Sequence, residues 1–317
     1  MIELVNIYIT NPVSGNLDKI AEPIKGCWIN MVKPTEQEIK EICEKVGVEE
    51  QLLRYPLDIA EKAHIDIEDD AVLIVVDSPF TELKGEDKIY TTVPIGMILV
   101  RDDIFITISQ EKIDCIKGLL KKDKAYRIRT DKKSRFVFQL LYDIAQDYIR
   151  YLTYINKDLE IFESQMEKTM RNKELLKIMK FEKSMIYFNA SVKGNQVVLE
   201  KLNRGKAIKL YEEDEDILED TMIENRQAIE MIQTYSEILN GIVDMFGTIV
   251  SNNLNIVMKF LTSITIIIAL PTLVSGIFGM NVEFPFNTGV VGFWVVIGIA
   301  TIVTLIATFW LKKKDMM

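Results

Sequence analysis

Between Phe260 and Leu311 the chain carries a single charged residue, Glu283. Neither Phe260–Val282 nor Phe284–Leu311 holds a charge. Each run exceeds the roughly 20 apolar residues, at about 1.5 Å rise apiece, that a helix needs to cross a hydrocarbon core. The link Asn281-Val282-Glu283-Phe284-Pro285-Phe286-Asn287-Thr288-Gly289 is rich in turn formers. The pattern predicts a membrane hairpin: one helix over 257–281, an external link over 282–289 and a second helix over 290–311. Two long core helices of a soluble protein are the reading this displaces.

The first of these runs is patterned. Asn255, Met258, Thr262, Thr265, Ala269, Thr272, Gly276 and Gly279 follow one another at steps of three and four, which places all of them on one helix face. Through the membrane this stripe is small or hydroxylic. The other faces carry Ile264, Ile266, Ile267, Ile268, Leu270, Leu273, Val274 and Ile277. Small residues let membrane helices approach closely. They also suit the wall of a pore, where hydroxyl, amide and backbone oxygens meet a hydrated ion. Periodicity alone leaves both readings open.

At the outer end of this helix, Phe278-Gly279-Met280-Asn281 resembles the Gly-Met-Asn signature of the CorA family of divalent-metal transporters. The stretch Asn255-Ile256-Val257-Met258-Lys259-Phe260-Leu261-Thr262 is similar to the family's entry into that helix, Pro271 falls mid-helix, and Lys312, Lys313 and Lys314 close the chain. The close resemblance covers about 250–317, and the remainder agrees in size and layout. It implies a funnel-shaped homopentamer in which an α+β cytoplasmic domain leads into a long helical stalk and two C-terminal transmembrane helices. It implies a selectivity filter at Gly279, Met280 and Asn281. The Asn281 amide oxygen would accept hydrogen bonds from the water shell of a hydrated Mg²⁺, an ion that sheds water reluctantly. Gly279 would let the backbone turn tightly, with Met280 packed behind. Asn255, Met258, Leu261, Thr265, Ala269, Thr272 and Gly276 would line the pore, Met258 and Leu261 forming an apolar gate. This chain has Phe278 where many members have Tyr. After Glu283 it has Pro285-Phe286-Asn287, which weakens cation attraction by the link.

The chain has 317 residues and a net charge of −9, and it lacks the basic patch of a nucleic-acid binder. Met1-Ile2-Glu3-Leu4 has neither the basic start nor the apolar core of a signal peptide. With lysines at both inner helix ends and none in the link, the positive-inside rule puts both termini in the cytoplasm of a cell-membrane protein. Cys27, Cys43 and Cys115 are dispersed and His64 is the only histidine, so no zinc spacing exists.

Residues 1–125 read as an α/β domain, with strands over Ile2–Ile9, Cys27–Val32, Ala71–Val76, Thr91–Leu99 and Ile104–Ser109. A capping box with Thr35 as N-cap and Glu38 at its third helical position starts a helix to about Lys45. A second helix is expected over Ser109–Lys121. No phosphate loop, nucleophile set or Cys/His pair is present, which argues against an enzyme. Helical periodicity then predicts antiparallel helices over Lys133–Met170 and Glu174–Asn203, within 126–211. A stalk over 212–256 continues into the membrane as one helix about 100 Å long.

The densest charge run, Glu212-Glu213-Asp214-Glu215-Asp216 with Glu219 and Asp220, opens the stalk. It suits a solvated helix start that complements the dipole. The resemblance implies a second use, sensing of cytoplasmic Mg²⁺ by carboxylates at subunit interfaces. Asp220 falls where the stalk carboxylate of the family lies, with Asp216 beside it. Asp77 is the first choice for its counterpart in the α/β domain and Glu82 the second. Mg²⁺ is thus expected both as cargo and as regulator. The alternatives are the same architecture moving Co²⁺, Ni²⁺ or Zn²⁺, and a membrane-anchored sensor or scaffold that conducts nothing. The zinc branch usually alters the middle residue of the signature, and Met280 is unaltered.

Overall fold

The computed structural model describes residues 5–84, 87–100, 104–121, 128–166, 172–280 and 289–314. The chain divides into two compact units, Met1–Asn240 and Gly241–Met317.

The first unit is built on a sheet in the order β2-β1-β3-β7-β6-β5-β4. Its strands are β1 Val5–Thr10, β2 Leu17–Ile20, β3 Trp28–Val32, β4 His64–Ile67, β5 Ala71–Lys84, β6 Asp87–Val100 and β7 Ile104–Ser109. Among the described residues only β3 and β7 pair in parallel; the other neighbours are antiparallel. Alternation along β3 sends Ile29 and Met31 to one face and Trp28 and Asn30 to the other. Under the first face lie α1 (Glu36–Val46) and α2 (Glu50–Arg54), whose Ile39, Ile42, Leu52 and Leu53 close a core with Ile29, Met31, Ile106 and Ile108. The capping box holds: the Glu38 N–H donates to the Thr35 hydroxyl at 3.3 Å and the Thr35 N–H to the Glu38 carboxylate at 2.7 Å.

The second face carries α4 (Lys133–Met166) and α5 (Asn172–Asn203), with α3 (Asp114–Leu119) at its margin. Phe136 stands edge-on to Trp28 at 5.0 Å and tilted to Phe105 at 5.0 Å, an arrangement the ring quadrupoles favour. The buried polar groups beneath are joined to one another. The Trp28 indole donates to the Thr107 hydroxyl at 2.9 Å, which donates to Asn30 Oδ1 at 3.0 Å. The chain entering α4 is tied to the sheet by reciprocal bonds between the Thr10 and Thr130 amides and hydroxyls, each 3.0 Å. A turn with Gly205 at φ +69° separates α5 from α6 (Glu212–Phe278), a single helix of 67 residues.

The second unit contains the C-terminal part of α6 and α7 (Gly289–Lys313). Both helices are long and apolar enough to cross a membrane.

Several expectations shift. The strand runs at 71–76 and 91–99 belong to a longer hairpin, paired in continuous register from Ala71↔Val100 to Lys84↔Asp87. The edge strands β2 and β4 escape the pattern because Leu-Asp-Lys-Ile and His-Ile-Asp-Ile are short and polar, as edge strands are when unwanted pairing is blunted. The helix expected from Ser109 begins at Asp114, since Ser109 still pairs with Val32 and Ile95 in the sheet. The short α2 was not foreseen. The return helix starts at Asn172 rather than Glu174. The expected strand start at Ile2, the far end of α4 past Met166 and the 282–288 part of the link lie outside the described residues.

Gly96 on β6 leaves no room for a side chain: a Cβ there would sit 2.2 Å from Pro56 Cγ and 3.0 Å from Ile108 Cγ2. Gly96→Ala is expected to cost about 1–3 kcal/mol by overpacking and to lower the melting temperature of the detergent-solubilised protein. An unchanged melting temperature would contradict this packing.

Candidate functional site

Two faces of the membrane part of α6 differ in what covers them. Ser263 and Val274 are buried within the C-terminal unit, with Ile267 and Leu270 half-buried on the same face. On the opposite side Asn255, Met258, Thr262, Thr265, Ala269, Thr272, Gly276 and Gly279 are all exposed, as is Leu261 on the flank. The small and hydroxylic stripe is therefore not the face that packs inside the hairpin. On α7 the sheltered side includes Gly292, Ala300, Ala307 and buried Leu311, whereas Phe293, Trp294, Leu305, Ile306, Phe309 and Trp310 point outward. Large apolar side chains outward with aromatics near both ends is what a lipid-facing helix requires.

The hydroxyl hydrogens of the stripe are already committed. Thr262, Thr265 and Thr272 donate to the carbonyls of Met258, Leu261 and Ile268 at 2.8, 2.9 and 3.1 Å. A hydroxyl that gives its hydrogen to the backbone keeps only acceptor capacity. Its oxygen then meets whatever lies beyond the stripe as an acceptor. Pro271, which removes one backbone donor, is tolerated within the continuous helix.

At the outer end the Gly279 N–H donates to the Ser275 carbonyl at 2.9 Å, and Met280 follows with a looser bond to Ile277 at 3.4 Å. Gly279 does not take the left-handed conformation expected of a tight turn. A Cβ at this position would lie 3.1 Å from the Ser275 oxygen, the carbonyl that accepts the Gly279 N–H. Met280 is exposed. Asn281 lies outside the described residues.

The acidic run at the start of α6 separates into two groups. Glu213 meets Lys132 at 3.4 Å and Arg135 at 3.1 Å, and buried Asp214 lies 3.9 Å from Arg135. Burial pushes the Asp214 carboxyl above the usual range while Arg135 pulls it back. These two acids anchor α6 to the start of α4. Asp216 and Asp220, four residues apart on one face, remain exposed.

Asp77 sits in β5 where β4 has run out, since the first residue of β4, His64, pairs with Val75. The Asn195 side chain of α5 takes the place of a strand there. Asp77 N–H donates to Asn195 Oδ1 at 2.9 Å, and Asn195 Nδ2 donates to the Asp77 carbonyl at 2.8 Å, an oxygen that also accepts from Tyr148 at 3.1 Å. The Asp77 carboxyl is largely buried, which raises its pKa, and a hydrogen bond with Ser191 offsets part of that rise. Glu82 is half-buried further along the strand, and the odd separation places it on the opposite face of the pleat from Asp77. Among the described residues no three His, Cys, Asp or Glu side chains converge within one chain.

Asn195, Ser191 and Tyr148 were not singled out from the sequence. The available signal was polar residues at Ser191 and Asn195 on a face otherwise made by Phe188, Val192, Leu199 and Leu202.

Residues 25–313 match the family described as CorA-like Mg²⁺ transporter protein. The cobalt/magnesium transport protein CorA of Methanocaldococcus jannaschii is 29% identical over 313 residues, 95% of either chain. The protein of that name from Thermotoga maritima is 22% identical over 297 residues, 90% of this chain and 82% of the other. The complete structure of the M. jannaschii CorA magnesium transporter matches at TM-score 0.84 with 26% identity, covering 98% of this chain and 97% of that one. An α/β domain, a long helix and two apolar C-terminal helices, shared over nearly the whole length, define a divalent-cation transporter. The chain belongs to the CorA family.

The raised Asp77 pKa fixes the sign of a pH effect. Burial penalises the ionised form, so the stability of the neutral form is present below the ordinary carboxylate range and is lost as pH rises through the raised pKa. Asp77→Asn, measured by thermal melting in EDTA, is expected to melt at or above the wild-type temperature at pH 7. The difference should close below about pH 4. A variant that melts lower at pH 7 would contradict the assignment.

Proposed function

We propose that this protein conducts Mg²⁺ across the cell membrane as a homopentamer, with the α6 stripe of each copy facing a shared axial path and both termini in the cytoplasm. The observation that carries the reading is the exposed stripe whose threonine hydrogens are already given to the backbone. A hydrated dication presents outward-pointing water hydrogens, and acceptor-only oxygens on a small-residue wall match that surface. Asn281, with Gly279 and Met280, forms the outer ring that takes the hydrated ion. Met258 and Leu261 narrow the inner end as an apolar gate, and Asn255 lies below them.

Regulation is assigned to carboxylates that meet between copies, Asp220 and Asp216 from α6 with Asp77 or Glu82 from β5. Mg²⁺ bridging such acids offsets their repulsion and holds the closed arrangement. Its loss lets the stalks separate. Co²⁺ is the second cargo to consider, because the related proteins are named cobalt/magnesium transport proteins. A non-conducting anchor has no use for the stripe.

The test is Mg²⁺ uptake into liposomes holding the purified protein. Uptake in the wild type that is abolished by Asn281→Ala supports the filter, and an equal rate in the variant contradicts it. In the same assay Asp220→Ala is expected to weaken inhibition by internal Mg²⁺; undiminished inhibition removes Asp220 from the site.

A further inference from the structure

Two buried amides join the sheet to the stalk helix through one turn of α5. On one side of that turn Asn195, 4% exposed, holds both backbone groups of Asp77. On the other side Asn225 of α6, 2% exposed, donates through Nδ2 to the Val192 carbonyl at 3.2 Å and to Gln196 Oε1 at 2.9 Å. Val192, Asn195 and Gln196 lie within five consecutive residues of α5. The surroundings are apolar: Leu218, Ala228 and Ile232 of α6 and Phe188, Val192 and Leu199 of α5 are all buried. An apolar residue at 225 would seal such an interface without the desolvation that a buried amide must overcome.

What the amide adds is register. Both Asn225 bonds go to one α5 turn, so a slide of α6 by a helical turn, about 5.4 Å, breaks both at once and leaves a buried donor unmatched. Asn195 fixes the same turn to β5 in the same all-or-none way. Packed leucines alone would tolerate intermediate positions; these bonds do not. A contact with two discrete states is the requirement for passing a conformational change between elements.

We propose that Asn195 and Asn225 are positioning residues for gating. They make the α5 turn 192–196 the coupler by which the state of the β5 carboxylate region biases the register of α6. The inference rests on the reading above that internal Mg²⁺ regulates transport, and it would hold whichever acid on the sheet binds the ion.

The experiment measures uptake into proteoliposomes of the full-length protein at a series of internal Mg²⁺ concentrations. Asn225→Leu should keep uptake at low internal Mg²⁺ close to wild type while raising the concentration for half-inhibition by about tenfold, the range of ordinary allosteric coupling. Asn225→Gln, which keeps the two donors, should restore part of the sensitivity. Asn195→Ala should shift the midpoint similarly, and Asn195→Ala with Asn225→Ala should shift it no further than either alone, because one path has been cut twice. A residue with a merely structural role would lower the melting temperature or the yield and leave the midpoint in place. A wild type inhibited by internal Mg²⁺ with midpoints unmoved in all these variants overturns the coupler alone. A wild type indifferent to internal Mg²⁺ overturns the regulatory reading and the coupler with it.

Discussion

Hydrocarbon supplies no hydrogen-bond partner, and the C-terminal unit is arranged around that constraint. On the membrane part of α6, Thr262, Ser263, Thr265 and Thr272 each return their hydroxyl hydrogen to the carbonyl one turn back. Such groups cost little in an apolar setting, and their oxygens stay available as acceptors. Where the large side chains are placed follows from the same constraint. α7 turns Phe293, Trp294, Phe309 and Trp310 outward, while α6 keeps one face free of bulk. A face of small residues and oxygens has no advantage against lipid chains. In the proposed pore it faces water instead.

The N-terminal unit solves a different problem, which is to hold a long amphipathic helix at a fixed register on an α/β domain. Apolar packing gives adhesion and the buried amides give position. Glu213 and Asp214 secure the start of α6 to Lys132 and Arg135, and Asn225 fixes it a few turns further on. This leaves Asp216 and Asp220 exposed. The acidic run is thus partly an anchor and partly a charged surface.

The parts of this arrangement that local chemistry dictates were legible in the sequence. The capping box at Thr35 and Glu38, the strand Ile104–Ser109, the start of α6 at Glu212 and the two apolar helices follow from spacing and composition. β2 and β4 were not legible, because an edge strand exposes half its surface and reads as polar loop. The extension of β5 and β6 as far as Lys84 and Asp87 depends on cross-strand pairing that a one-strand pattern does not carry. In the candidate site the stripe was readable, but its exposure was not, since periodicity is the same for a packed face and an open one. Asn195 and Asn225 were invisible for a related reason: a buried Asn and a surface Asn look alike until their partners are known.

The central claim is that the α6 stripe lines the ion path. The direct measurement places single cysteines along α6 in a background with Cys27, Cys43 and Cys115 replaced, and applies a charged thiol reagent during Mg²⁺ flux. Thr265→Cys and Thr272→Cys should react from water and lose conductance on modification, whereas Ile267→Cys, on the face packed within the hairpin, should remain unaffected. Equal inertness at all three positions, or block at Ile267 with none at the threonines, would contradict the account.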